Sequence, residues 1–312
     1  MPAVGTTFYL NWEVSLMEWL QATLPPALIQ VVSQFSLFGE EMLLIVILGF
    51  LYWCWDKEYG KKAGIAILVV NIWNPMIKNI VLRRRPYFDN PGIKLFRKID
   101  ADADIYDIAA QGFSFPSGHS ANAAVVYGSI AQTRRNRIKL ILAVILPLLV
   151  GFSRVCVGAH YPTDVLGGFL LGAIILAVVP WLRNKLSRPM FYGLLLLIAL
   201  PGIFYCTSSD YFTGLGMMIG FVAGDFFEDR FVHFENTRSI WRCILRLLGG
   251  GGLYLVLNKL LKLPFSAEFL DSGTLAAHLV RTGRYAIILF VVIGLYPLLF
   301  GLFKGEKKDS AR

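Results

Sequence analysis

Two apolar runs lie in the middle of the chain, LILAVILPLLVGF at 140–152 and VLGGFLLGAIILAVV at 165–179. Between them sits SRVCVGAHYPTD, residues 153–164, which brings a cation, an imidazole and a carboxylate to their junction. Runs of this kind approach the roughly 20 residues needed to cross a bilayer, and they recur along the chain. The expectation is therefore a polytopic membrane protein rather than a soluble one with buried helices. Composition agrees: 56% of residues are hydrophobic, the mean hydropathy is +0.58 and only 16% are charged, where a soluble domain is nearer a quarter.

Candidate spans fall at about 39–55, 63–83, 115–133, 140–158, 162–182, 190–206, 211–228, 243–261 and 284–303. The third, SGHSANAAVVYGSIAQ, is small and polar, which suits a helix facing other helices rather than lipid. Residues 7–35 are apolar but are broken by Glu13, Glu18 and Pro25-Pro26. Trp12, Leu16, Trp19 and Leu20 share one helical face there, which predicts an amphipathic interfacial helix. A spanning helix would carry Glu13 and Glu18 into lipid at high cost. The first basic residue is Lys57, so the N-terminus lacks the positive region of a signal peptide.

The net charge is +9, yet its location argues against nucleic acid as a partner. The segments 56–62, 134–139, 183–188, 229–246 and 304–312 hold 18 of the 30 Lys and Arg. Nine alternating spans put all five on one face, which the positive-inside rule makes cytoplasmic. The opposite face then carries residues 84–114, the junction at 159–162 and the loops near 207–210 and 262–283. The four cysteines form no C-x-x-C pair and read as buried small hydrophobes. Gly168 and Gly172 form a small-xxx-small pair suited to helix packing, and Gly249–Gly252 is expected to loosen or break its helix.

Three polar clusters share the outer face. In KNIVLRRRP, Lys78 and Arg85 are seven residues apart, about two helical turns, and Pro86 favours a helix end. Taken alone this is also how a snorkelling basic anchor looks. In FPSGHS, Pro116 and Ser117 resemble a helix start, where free N–H groups suit an anion, Gly118 allows close approach and His119 stands beside it. A capped helix with an incidental histidine reads the same way. In the junction, Asp164 falls in the first turn after Pro162, and His160 precedes it by four residues. That is a helix cap or a histidine with its orienting carboxylate. Together, Lys78, Arg85 and Arg154, a helix N-terminus and two histidines make a site for a highly charged anion.

The patterns K-x6-R-P, P-S-G-H and S-R-x5-H-x3-D, met in order at Lys78–Pro86, Pro116–His119 and Ser153–Asp164, resemble the three signature motifs of the type 2 phosphatidic acid phosphatase (PAP2) superfamily. The resemblance extends over the first six spans, roughly 60% of the chain. It implies an all-α transmembrane bundle with a six-span phosphatase core and about three C-terminal spans. The division expected is an interfacial segment at 1–38, a core at 39–185 whose sixth span is completed by about 206, and an extension at 186–312. It implies an integral-membrane lipid phosphate phosphatase that needs no metal or other cofactor and acts on a phosphate or diphosphate ester at the outer leaflet. His160 would be the nucleophile forming a phosphohistidine, Asp164 its orienting carboxylate and His119 the general acid. Lys78, Arg85, Ser117, Gly118 and Arg154 would hold the phosphoryl oxygens.

The alternatives are transfer of the phosphoryl group to an acceptor other than water, or a lipid or anion transporter without catalysis. The vanadium haloperoxidases of the superfamily are soluble and fit less well. The last three spans suit a homodimer interface, a lipid gate or a second function. Compact loops suggest a bacterial inner membrane, with the site on the periplasmic face and the C-terminus in the cytoplasm. DADADIYD at 100–107 begins like a calcium loop but puts Ile105 and Gln111 at its glycine and bidentate-acid positions. His233 and His278 are expected to face solvent. The long loop 84–114 is expected to cover the site or meet lipid headgroups.

Overall fold

The computed structural model describes residues 5–98, 102–132 and 136–303. The described residues are helical; the one β-type pairing among them is an isolated bridge between Thr6 and Arg83. The basic segment 304–312, two of the arginines in 134–139 and Asp100 lie outside the described residues. Two compact units divide the chain, one formed by Met1–Ile45 and Lys62–Tyr211, the other by Val46–Lys61 and Phe212–Arg312.

The first unit opens with α1 (Asn11–Thr23) and α2 (Pro26–Ser33), separated at the Pro25-Pro26 pair, and a 3₁₀ turn at Gln34–Gly39. Next comes α3 (Glu41–Phe50), which ends in a π-turn at Leu51–Trp55, and then α4 (Lys57–Val81). The loop after α4 holds the short helices α5 (Pro86–Asp89) and α6 (Ile108–Gln111). It leads to α7 (Gly118–Gln132), α8 (Arg137–Cys156), α9 (Pro162–Lys185) and α10 (Arg188–Ala199). α11 (Ser209–Phe227), α12 (Ile240–Leu260), α13 (Ala267–Leu270) and α14 (Leu275–Phe290) complete the described helices, with π- and 3₁₀-turns continuing α14 to Phe303.

Among the described residues, five helices are long and apolar enough to cross a membrane: Lys57–Val81, Arg137–Cys156, Pro162–Lys185, Ile240–Leu260 and Leu275–Gly301. Pro26–Gly39 and Glu41–Trp55 meet at a 43° bend and make a sixth if they form one span. Of the nine expected spans, the third is the 15-residue α7, and Arg188–Phe204 is apolar but short.

α7 packs between α8 and α9, and this contact positions the site. Its small residues allow the close approach that membrane helices favour. Gly168 and Gly172 are the facing residues of α9. A Cβ at Gly168 would lie 2.5 Å from the Ser117 carbonyl oxygen, and one at Gly172 would lie 2.8 Å from the Ala124 Cβ. At the C-terminal end of α8, Met17, Leu20, Val32, Ile93, Val155, Cys156, Tyr161 and Val165 form one buried cluster. The N-terminal helices and the loop after α4 are thus core elements of this unit. α1 has two faces: Glu13, Met17 and Leu20 are buried, while Trp12, Leu16 and Trp19 are exposed, so Leu20 leaves the face it was expected to share with them and joins the core.

The second unit corrects three expectations. α12 runs unbroken through Gly249–Gly252. A Cβ at Gly250 would lie 2.2 Å from the Trp53 ring and one at Gly249 2.4 Å from the Tyr296 hydroxyl, so these two glycines admit aromatic rings and do not break the helix. His278 is buried and stacks on Phe212 at 4.2 Å, because α14 begins nine residues before the expected span at 284. Lys57 and Lys61, counted with a basic loop, face acids. Lys61 is 4% exposed and pairs with Asp225 at 2.8 Å, and Lys57 pairs with Glu228 at 2.9 Å. His233 is exposed, as expected. All four cysteines are free.

Candidate active site

The first cation cluster reaches the site by a route that helical spacing did not foresee. α4 ends at Val81, Leu82 takes a left-handed backbone with φ 55°, and Arg83 pairs with Thr6 in extended form. Lys78 is therefore on a helix and Arg85 is not. Two helical turns therefore do not set their common direction, although both arrive at one place. Arg85 is held from behind: its Nε donates to the carbonyls of Gln111 and Gly112 at 2.9 and 3.0 Å, and one terminal nitrogen donates to the Ala159 carbonyl at 2.8 Å. That nitrogen also lies 3.3 Å from His160 Nε2. The 84–114 loop thus supplies carbonyls that aim an arginine.

A guanidinium can only donate, so Nε2 of His160 is the acceptor and Nδ1 carries the proton. Nδ1 faces Asp164 Oδ2 at 3.6 Å, longer than a hydrogen bond. The same oxygen accepts the Tyr161 N–H at 2.7 Å, and Asp164 Oδ1 accepts from Arg83 at 2.7 Å. Asp164 is thus the acid of a helix cap, with the Oδ2 that caps also turned toward the His160 ring. His160 is 1% exposed. Burial first, then the charges of Arg85, Arg154, Lys78 and His119, push its imidazole well below its ordinary value. Lys78, Arg85, Arg154 and His119, all nominated from the sequence, thus act on the His160 ring.

Arg154, at the end of α8, donates to Ser36 Oγ at 3.1 Å, and Ser36 is itself bonded to Ser153 at 2.9 Å. Nε and the other terminal nitrogen of Arg154 are buried and meet no acceptor among the described residues. A buried guanidinium with two donors to spare is what a phosphate site needs. The segment that starts α7 is tied to α9 and α4: Ser117 N–H donates to the Asp164 carbonyl at 2.9 Å, and Asn74 donates to the Pro116 carbonyl at 3.0 Å. Ser117 Oγ accepts from Ser120 Oγ at 2.9 Å, and Gly118 and His119 form the first turn.

The PAP2 superfamily pattern matches residues 60–188. Phosphatidylglycerophosphatase B of Bacillus subtilis is 34% identical over 158 residues, 46% of this chain and 68% of that one. The chain belongs to the PAP2 superfamily. A second pattern, the PAP2 superfamily phosphatase transmembrane extension, matches residues 212–308. Undecaprenyl-diphosphatase BcrC of Bacillus subtilis is 32% identical over 51% of this chain and 74% of its own length. Sphingosine-1-phosphate phosphatase 2 of Mus musculus is 24% identical over 61% of this chain and 57% of its own. Among solved structures, the crystal structure of a transmembrane PAP2 type phosphatidylglycerolphosphate phosphatase from Bacillus subtilis aligns with TM-score 0.44 and 28% identity. It covers 57% of this chain and 87% of that one.

Several residues of this PAP2 site escaped the sequence reading. Arg83 stands beside Arg85 in the same RRR run, but nothing in the run says which arginine faces the histidine. Asn74 and Ser36 each touch a motif residue, yet a lone Asn or Ser in an apolar run gives no signal. Glu13 read as an obstacle to membrane insertion. Its carboxylate is buried against Arg83 at 2.8 Å, so the charge that seemed costly is paired inside the protein.

Proposed function

We propose that this PAP2 protein is an integral-membrane lipid phosphate phosphatase that hydrolyses a phosphate or diphosphate ester through a phosphohistidine on His160. The observation that carries this is the His160 environment. Nε2 accepts from Arg85, Nδ1 is turned toward Asp164, and Lys78, Arg154 and His119 act on the same ring. Arg85 donates to the lone pair that would attack. An arriving phosphoryl group offers the guanidinium better acceptors, which frees Nε2 as the substrate binds.

In the first step Nε2 bonds to phosphorus, the ester P–O bond breaks, and His119 gives its proton to the departing alkoxide or phosphate. In the second, His119 takes a proton from water, the oxygen attacks phosphorus and the P–N bond breaks, releasing inorganic phosphate. Asp164 balances the positive charge that His160 gains as the P–N bond forms. Lys78, Arg85, Arg154, Ser117 and the Gly118 backbone bear the charge of the equatorial oxygens. No step calls for a metal ion. The site faces the outer leaflet, where the lipid tail stays in the bilayer. On nine expected spans, with a catalytic core to about 206 and an extension beyond it, the C-terminus is cytoplasmic, and a bacterial membrane suits the named Bacillus subtilis relatives.

The test is phosphate release by purified protein in detergent with EDTA present. The substrates are a polyprenyl diphosphate, phosphatidate, phosphatidylglycerophosphate and a sphingoid-base phosphate, with His160→Ala in parallel. Release by wild type, with none by the variant and a ³²P label on histidine after acid-free quenching, is the expected outcome. A folded wild type that releases nothing, or a His160→Ala protein that retains activity, overturns the reading.

A further inference from the structure

We infer that Glu13, on the N-terminal helix α1, is a positioning residue that holds Asp164 in place against His160 through Arg83 and Thr163. The inference rests on the reading of His160 as nucleophile. Glu13 lies outside the matched PAP2 region of 60–188 and is 0% exposed. One of its oxygens, Oε2, accepts from Arg83 at 2.8 Å and from the Leu10 N–H at 2.9 Å. The other, Oε1, accepts from the Thr163 N–H at 3.0 Å and from its hydroxyl at 2.5 Å. Arg83 then donates to Thr163 Oγ1 and to Asp164 Oδ1, each at 2.7 Å. Burial alone would raise the Glu13 carboxyl. Hydrogen bonds from Thr163 and Leu10 and the charge of Arg83 outweigh it and hold the group below its ordinary value, so it is ionised.

Charge accounting shows what Glu13 adds. Arg83 and Asp164 alone form a neutral pair, and a neutral pair does little for a histidine that becomes positive. With Glu13, two carboxylates share one guanidinium and the knot keeps one net negative charge. That charge faces His160, whose neighbouring cations are Arg85, Arg154 and Lys78. The rest of the N-terminal segment fixes α1 at this depth. Thr6 bridges Arg83, Tyr9 stacks on Tyr161 at 6.0 Å, and Gln21 bonds to the Lys94 and Cys156 carbonyls at 2.9 and 3.1 Å.

The experiment compares wild type, Glu13→Gln and the double variant Glu13→Gln/Arg83→Gln. It measures kcat, KM and the pH dependence of kcat/KM, with thermal unfolding in detergent as the check on folding. Glu13→Gln is expected to lower kcat by about tenfold to a hundredfold, the range for losing an outer partner of a functional histidine, with KM little changed. Its acidic limb should move down by about one pH unit, because a lost negative charge disfavours the protonated imidazole. The double variant removes one charge of each sign, returns the net negative charge to Asp164 and should bring the limb back toward wild type. A purely structural knot would be worse in the double variant and would leave the limb where it was. An unmoved limb, an unrestored limb, or loss of fold in both variants overturns the inference. Titration of His160 by NMR of ¹³C-histidine-labelled protein, assigned with His160→Gln, follows the same shift without turnover. If wild type hydrolyses no lipid, the phosphatase reading falls while this measurement still decides the role of Glu13.

Discussion

Gly168→Ala tests whether the close approach of α9 to α7 sets the active geometry. The new Cβ would lie 2.5 Å from the Ser117 carbonyl oxygen, 3.0 Å from the Ser120 Cβ and 3.2 Å from the Ala121 nitrogen. Two of these atoms are backbone in or beside the first turn of α7 and cannot swing aside. Restoring ordinary contact near 3.5 Å moves the two helix starts apart by about 1 Å. Overpacking of this kind costs about 1–3 kcal/mol, offset in part by the roughly 1 kcal/mol by which Ala exceeds Gly as a helix former. The larger effect is on rate. The shift separates Ser117, Gly118 and His119 from His160 and Asp164, and stretches the 2.9 Å bond from Ser117 N–H to the Asp164 carbonyl. A misplacement of about 1 Å is worth about a hundredfold in rate. Gly193→Ala is the control, because a Cβ there meets nothing within 4 Å on α10. Steady-state phosphate release and thermal unfolding, measured together on both variants, decide the matter. A Gly168→Ala enzyme that is folded and turns over at the wild-type rate would refute the claim that this contact tunes the site.

Because burial and the surrounding cations push His160 below its ordinary value, the neutral nucleophile persists as the medium turns acidic. The acidic limb of kcat/KM is expected below pH 6.5, and a limb above it would contradict this electrostatic picture. Lys61→Met leaves Asp225 without the 2.8 Å contact that Lys61 supplies, and breaking a buried ion pair on one side costs about 3–5 kcal/mol. Thermal unfolding in detergent reads it, and an unchanged midpoint counts against the pair. On α12, Gly250→Ala drives a Cβ into the Trp53 ring and should lower the melting temperature. Gly252→Ala meets nothing within 4 Å and should raise it, by up to about 1 kcal/mol of stability.

Much of the site was legible in the sequence because the functional groups sit in three short segments whose spacing is chemically distinctive. Lys78, Arg85, Arg154, His119 and Asp164 were nominated that way along with His160, and the structure brings them to the His160 imidazole. The route was less legible. Lys78 and Arg85 were joined by helical periodicity, but a left-handed Leu82 ends the helix before Arg85, and carbonyls from the 84–114 loop aim its guanidinium. Periodicity reports a face only while the helix continues, and nothing local announced the stop.

The sequence by itself determined the solvent and the chemistry. Apolar runs of near-bilayer length require a membrane, and two histidines, a carboxylate and three cations at run ends require an anionic substrate. Tertiary structure alone decided the pairing of buried charge. Glu13 and Arg83 are 70 residues apart, yet they bond because α1 packs against the ends of α8 and α9. Lys61 and Asp225 meet in the second unit, and a run of four glycines there remains helical because two of its members face aromatic rings. A charge or a glycine is costly where it stands alone. Whether it stands alone depends on what the fold brings to it, and that partner lies far away in the chain.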